Sequence, residues 1–205
     1  MKQKFLLSFV FILLPMMASA WTQYEDKFTE IDGIYYELQY VTKVVGDVKT
    51  SYYEAYVACK SIYVIESLDD VDESPVSANY SGSLVIPSEV TYNGITYPVT
   101  GIWRYAFYGC SDLTSISFPS SITTISPKSF VEGTAWYNNQ PDGLVYAGNI
   151  LYKYKGTMPE NASITLRDGT SAIIDGAFSG CSNLFSITIP NSVQDIGYNA
   201  FNGCI

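Results

Sequence analysis

Ala177-Phe178-Ser179-Gly180-Cys181-Ser182-Asn183-Leu184-Phe185-Ser186-Ile187-Thr188-Ile189-Pro190, with Ile196 beyond it, is the stretch whose reading decides the fold. Its parts recur along the chain. Phe178 and Phe201 stand 23 residues apart, as do Cys181 and Cys204, and Phe107 and Phe130. The segment Ser186-Ile187-Thr188-Ile189-Pro190 has counterparts in Ser83-Leu84-Val85-Ile86-Pro87, Ser115-Ile116-Ser117-Phe118-Pro119 and Ser163-Ile164-Thr165-Leu166-Arg167. Seven residues after the last strand residue comes Ile125, Ile173 or Ile196. Five further on comes Phe130, Phe178 or Phe201, preceded by Ser129, Ala177 or Ala200. The first copy keeps Ile102, Ala106 and Phe107 once nine inserted residues are allowed. These surround Asn93-Gly94, a pair that favours a type I′ hairpin turn.

The repeat has a direct physical reading. Each copy holds one short strand whose apolar side chains, such as Ile187 and Ile189, alternate with polar ones. Proline ends the strand, because it has no N–H for a ladder. One copy cannot bury its apolar face alone, so copies are expected to stack with their strands parallel. Between Phe130 and Leu166 lie 25 residues more than the repeat requires. They include Trp136-Tyr137 and the run Leu144 to Tyr154, read as a β-hairpin turning near Gly148-Asn149. This island, residues 134–160, is expected to replace one coil or to stand beside the stack.

The run Ala-Phe-x-Gly-Cys-Ser-x-Leu-x-x-Ile-x-Ile-Pro, carried by Ala177 to Pro190 and on through Ile196, resembles the BspA-type leucine-rich repeats of bacterial surface proteins. A second copy runs from Ala106 to Ile125. The resemblance covers residues 81–205, and the island is similar to one common in that family. It implies a mainly β fold: a right-handed leucine-rich-repeat solenoid of about four irregular coils, exported, and used for adhesion or protein binding. Two departures flank the island. Glu132-Gly133 stands where Gly-Cys is expected, and Arg167-Asp168-Gly169 where Pro-x-Ser is expected.

The flanks read differently. Lys2 and Lys4, the apolar run Phe5 to Leu14 and Ala18-Ser19-Ala20 form a secretory signal peptide, residues 1–20. No second apolar run is long enough to span a bilayer. Residues 21–80 lack the repeat and are read as a small antiparallel β unit capping the first coil, since an end coil otherwise exposes core and strand edge. Asp69-Asp70-Val71-Asp72-Glu73 is read as a solvated acidic loop, without the glycine and spacing of an EF-hand calcium loop. The last coil is finished at Cys204 but uncapped, so a truncation is expected, with a longer natural protein or a partner covering that face as the alternatives.

Composition narrows the function. The 205 residues contain no histidine, which removes imidazole-based catalysis and most zinc sites. A net charge of −9 disfavours nucleic acid. No cofactor, metal or catalytic residue is expected, so the chain is read as non-enzymatic. Of the four cysteines, Cys110, Cys181 and Cys204 share one repeat position and are read as small buried hydrophobes, with a Cys181–Cys204 bridge as the alternative. Cys59 stands apart from the repeat. Two surfaces are candidates for contact. One is the outward hydroxyl row of the strands, Ser117, Thr165 and Thr188. The other is the island's aromatics, Trp136, Tyr137, Tyr146, Tyr152 and Tyr154, which would suit a glycan. The expected partner is a protein on a host or neighbouring cell surface, with a glycan as the alternative.

Overall fold

A computed structural model describes residues 21–25, 28–45, 48–66, 71–126, 129 and 131–204. Residues 1–20, read as a signal peptide, together with Asp69, Asp70 and Phe130, lie outside the described residues. Among the described residues the regular secondary structure is almost wholly strand. The first six are β1 (Trp21–Glu25), β2 (Thr29–Ile31), β3 (Ile34–Val45), β4 (Val48–Val57), β5 (Ser61–Glu66) and β6 (Val71–Val76). They form two antiparallel groups, β1-β5-β6 and β2-β3-β4, where the sequence suggested one unit. Val71, Asp72 and Glu73, read as loop, are the start of β6 and pair with β5.

The repeats follow. They comprise β7 (Gly82–Val85), β8 (Glu89–Tyr92), β9 (Ile95–Ile102), β10 (Leu113–Ser117) and β11 (Thr124–Ile125). After a 3-10 turn and the short helix α1 (Ala135–Asn138) come β12 (Gly143–Ala147), β13 (Ile150–Lys155), β14 (Ala162–Thr165), β15 (Ala172–Ile173), β16 (Leu184–Thr188) and β17 (Asp195–Ile196). Strands β7 and β10 pair in parallel, as do β14 and β16. The register joins the residues that the repeat equates. Ile116 faces Leu84, and Ile187 faces Ile164. The nine inserted residues are the hairpin β8–β9, with Asn93 and Gly94 both at positive φ (49° and 78°) as a type I′ turn requires.

Each coil carries a second, shorter strand at the repeat isoleucine, which the sequence pattern did not mark as a strand. Ile125 pairs with Ile102, and Ile196 with Ile173. Two residues are too few to display alternation, so only the neighbouring coil reveals the pairing. Two non-repeat hairpins splice into this second ladder. Val57 of β4 sits beside Ile102, and Leu151 of β13 sits beside Ile173. The same backbone bond closes every step: Trp103 N donates to Val57 O, Ser126 N to Ile102 O, Ile174 N to Leu151 O and Gly197 N to Ile173 O, at 2.7–3.1 Å. The group β2-β3-β4 is therefore hydrogen-bonded onto the first coil through β4, and one island strand takes the place of a coil strand.

Packing follows the same logic. Leu113 and Ile116 point inward from β10 while Ser115 and Ser117 face solvent. Phe107 and Phe178 are fully buried, each contributing about 1.5–3 kcal/mol of hydrophobic stabilisation. Each also donates its N–H to the next coil, Phe107 to Ser129 O and Phe178 to Ala200 O. The Phe178 ring stacks on Phe201, 5.3 Å away and 8° from parallel. Glycine in the Gly-Cys turn has positive φ in all three copies, at Gly109, Gly180 and Gly203 (71–79°).

Tyr80 ties the N-terminal strands to the first coil. Its hydroxyl accepts from Tyr35 N (2.9 Å) and donates to Ala58 O (3.1 Å), and its ring meets Phe107 edge-on. Burial pushes its phenol well above the usual tyrosine range, so it remains a donor. Tyr56 lies over Gly101, where an added Cβ would overlap its ring. Its own phenol is pushed up to about 12 by burial and by Glu54. Its folded pKa is raised, so its contribution to stability is full below pH ~10 and is lost as pH rises from there through the folded value.

All four cysteines are free thiols. Cys59 and Cys110 are buried, while Cys181 and Cys204 are half-buried. Cys204 Sγ donates to Phe178 O at 3.2 Å. Burial raises the Cys110, Cys181 and Cys204 thiols above their ordinary value.

Three measurements check this account. Tyr80→Phe should lower unfolding free energy by about 1–3 kcal/mol in urea titration, because two backbone groups lose a buried partner. Gly101→Ala should destabilise by about 1–3 kcal/mol, whereas Gly133→Ala, with open space around its Cα, should not. Iodoacetamide at neutral pH should modify Cys181 and Cys204 slowly and leave Cys59 and Cys110 intact until denaturant is added. The slow modification should accelerate as pH rises, since the thiolate is the nucleophile.

Candidate functional site

The island explains where the outward hydroxyls lie. Val131–Gly133 forms a 3-10 turn instead of the Gly-Cys turn, and the chain runs directly into α1. Thr134 caps that helix by accepting from Tyr137 N (3.2 Å). Ala135 N then donates to Ser111 O, just ahead of β10, and Trp136 packs edge-on against Phe118 at 5.4 Å. The helix thus sits against β10, and among the described residues β10 pairs with β7 alone.

The hydroxyl row is consequently divided. Thr165 and Thr188 face each other across β14–β16, with Ser186 Oγ donating to Ser163 Oγ at 2.9 Å. Ser117 lies in the other pair, opposite Val85. All three candidates are exposed, but only Thr165 and Thr188 are brought together.

The aromatics are placed otherwise than a solvent-facing platform requires. Trp136, Tyr137 and Tyr152 are buried, at 9%, 9% and 2% exposure. Tyr137 and Tyr152 meet edge-on at 6.1 Å. Tyr152 donates a short hydrogen bond to Glu132, which also pairs with Lys153 Nζ (3.3 Å). Burial first, and Glu132 second, push the Tyr152 phenol up. Lys155 Nζ donates to the carbonyls of Tyr137, Asn138 and Gln140 (2.6–3.1 Å), which terminates α1. Tyr146 is half-buried beneath the Arg167 guanidinium, 4.0 Å from its ring centre. Tyr154 is half-buried beside Phe178. Both departures from the repeat, Glu132 and Arg167, are thus the side chains that hold the island.

Another surface escaped the sequence reading. Beyond Leu38 and Ala55 the paired strands β3 and β4 run on as a two-stranded arm. Tyr40, Val44, Val48, Tyr52 and Tyr53 on it are 39–65% exposed. Tyr40 and Tyr53 meet at 5.0 Å, and Tyr53 meets Tyr97 at 5.3 Å. The signal was present in Tyr40-Val41-Thr42-Lys43-Val44, a run suited to a strand. What it lacked was any mark that this strand outruns the core.

Among the described residues no group of three or more Cys, Asp or Glu side chains is placed to hold a metal ion. No helix among them is long and apolar enough to cross a membrane.

Comparison with known proteins accords with the repeat register. Residues 152–205 match the family described as "BspA type Leucine rich repeat region (6 copies)". Two solved structures are similar. One is a leucine-rich repeat protein from Bacteroides ovatus ATCC 8483, 23% identical over 86% of this chain and 45% of that one, with a TM-score of 0.37. The other is a leucine rich cell surface protein from Faecalibacterium prausnitzii A2-165, 18% identical over 80% of this chain and 52% of that one, with a TM-score of 0.28. The chain spans about half the length of each. No curated protein matches. The matched segment, residues 152–205, holds β14 to β17 and both Cys181 and Cys204, and is similar to BspA-type leucine-rich repeats.

Proposed function

We propose that this chain is a non-enzymatic, exported surface protein whose stacked repeats form a right-handed solenoid of about four coils that mediates protein binding and adhesion. In this reading residues 21–80 cap the stack, residues 81–205 form it, and the signal peptide at residues 1–20 directs export. The family of residues 152–205 supports a protein-interaction role.

The observation that carries the reading is the arm of β3 and β4. Large apolar side chains stand in solvent on both faces of the arm, Tyr40, Val44 and Tyr53 on one and Val48 and Tyr52 on the other, an exposure unusual on a monomer and typical of a surface that a partner covers. Tyrosine is suited to this, giving large contact area with little entropy lost on binding. Beyond the pairing with β2 and β9, both outer edges of the arm also carry strand backbone without a β-partner among the described residues. Such edges add a strand from a partner readily.

The test is a protein array of host extracellular-matrix and neighbouring-cell surface proteins, probed with the secreted chain. At least one protein should bind. Tyr40→Lys combined with Val44→Lys should weaken that binding about tenfold or more while unfolding free energy changes by less than about 0.5 kcal/mol per substitution. Binding that survives the double variant would remove the arm from the interface. An array without a binder would overturn the reading as a whole.

A further inference from the structure

Two strands of the stack carry the same irregularity with different side chains. In β10, Leu113 and Ser115 pair with the consecutive residues Gly82 and Ser83, so Thr114 is the extra residue of a bulge. In β16, Leu184 and Ser186 pair with Ala162 and Ser163, so Phe185 occupies the same place. A bulge re-aims its extra side chain. Thr114 uses this locally, its hydroxyl donating to Gly82 O at 2.8 Å. Phe185 has no atom to do so, and its ring is 76% exposed.

The ring borders a hollow of about 330 Å³ together with Glu160, Asn161, Ser182 and Asn183. A second hollow, of about 230 Å³, has Tyr154 in its wall and shares Ser182 and Asn183 with the first. The two therefore flank one turn, each with one aromatic ring. The walls are fixed. Asn183 Nδ2 donates to Met158 O (2.9 Å), and Asn183 O accepts from Ala162 N (2.9 Å), which holds the preceding loop against the turn. The side chains of Glu160, Asn161 and Ser182 make no hydrogen bond among the described residues.

An aromatic face in solvent, ringed by unused carboxylate, amide and hydroxyl groups, has the chemistry that a pyranose needs. The apolar C–H face of the sugar lies on the ring, and its hydroxyls meet the polar groups. Two such hollows around one turn suit more than one sugar unit. The Glu160 carboxylate and the net charge of −9 oppose an anionic sugar. We infer that the groove around Ser182-Asn183 binds a neutral oligosaccharide, with Phe185 under one ring and Glu160 and Asn161 bonded to its hydroxyls. This groove uses none of the arm's residues, so it stands apart from the protein-binding reading.

The secreted chain should be titrated calorimetrically with cellotetraose, xylotetraose, mannotetraose and maltotetraose, and with tetragalacturonate as the anionic counterpart. At least one neutral probe should bind with a dissociation constant below about 1 mM. Phe185→Ala should weaken it about tenfold or more, Phe185→Trp should retain it, and Glu160→Gln should weaken it. Phe185 is exposed, so these variants should unfold at the wild-type temperature. Tyr40→Lys with Val44→Lys should leave sugar binding unchanged, which separates this site from the arm. The inference is overturned if no neutral probe binds, if Phe185→Ala binds as well as wild type, or if the galacturonate binds best.

Discussion

A single coil of this protein cannot bury its own apolar face, and everything else follows from that constraint. A strand of four or five residues offers two or three inward side chains and a row of unpaired backbone groups. Both needs are met only by a neighbour in register. Ile187 facing Ile164, and Phe178 N bonded to Ala200 O beneath the stacked Phe178 and Phe201 rings, are one device seen twice. Fixed coil length is what makes it work. A coil one residue longer would set serine where isoleucine must be, unless the extra residue were ejected, as Thr114 and Phe185 are.

The insertions obey the same constraint. The hairpin of β8 and β9 adds nine residues and returns the chain to the ladder at Ile102. The island adds many more, yet places Leu151 where a coil isoleucine would stand. The N-terminal strands do likewise with Val57. In each case a longer segment keeps one residue pair in the second ladder and lets the rest diverge. That division leaves room for function, because the diverging parts are not committed to the core. The arm of β3 and β4 is one such part. Phe185 is another on a smaller scale.

Much of this was legible beforehand, and for a reason. Repetition lets each copy check the others, so the parallel pairing and the shared cysteine position follow from spacing alone, while the two hairpins are marked by their turn residues, Asn93-Gly94 and Gly148-Asn149. The departures were legible too, as Glu132-Gly133 and Arg167-Asp168-Gly169, but their purpose was not. Glu132 meets Tyr152 and Lys153, and Arg167 covers Tyr146, across gaps of about twenty residues that no local pattern spans. The aromatics were the weakest part of the reading. Composition says that Trp136, Tyr137 and Tyr152 are interface-like residues, and the same apolar surface serves a core equally well.

The sequence by itself determined the first ladder: which of its residues face inward, and which residues of successive coils lie side by side. These are local and repeated, so the chain states them several times. Only the tertiary structure decided which apolar side chains remain in solvent. Tyr152 and Tyr40 have identical chemistry, yet one is 2% exposed and the other 64%. The difference lies in whether another segment reaches them: Glu132 and Tyr137 close over the first, whereas the second lies on strands that extend past the core. Exposure is a property of what packs nearby, and one residue's surroundings are not written beside it in the chain.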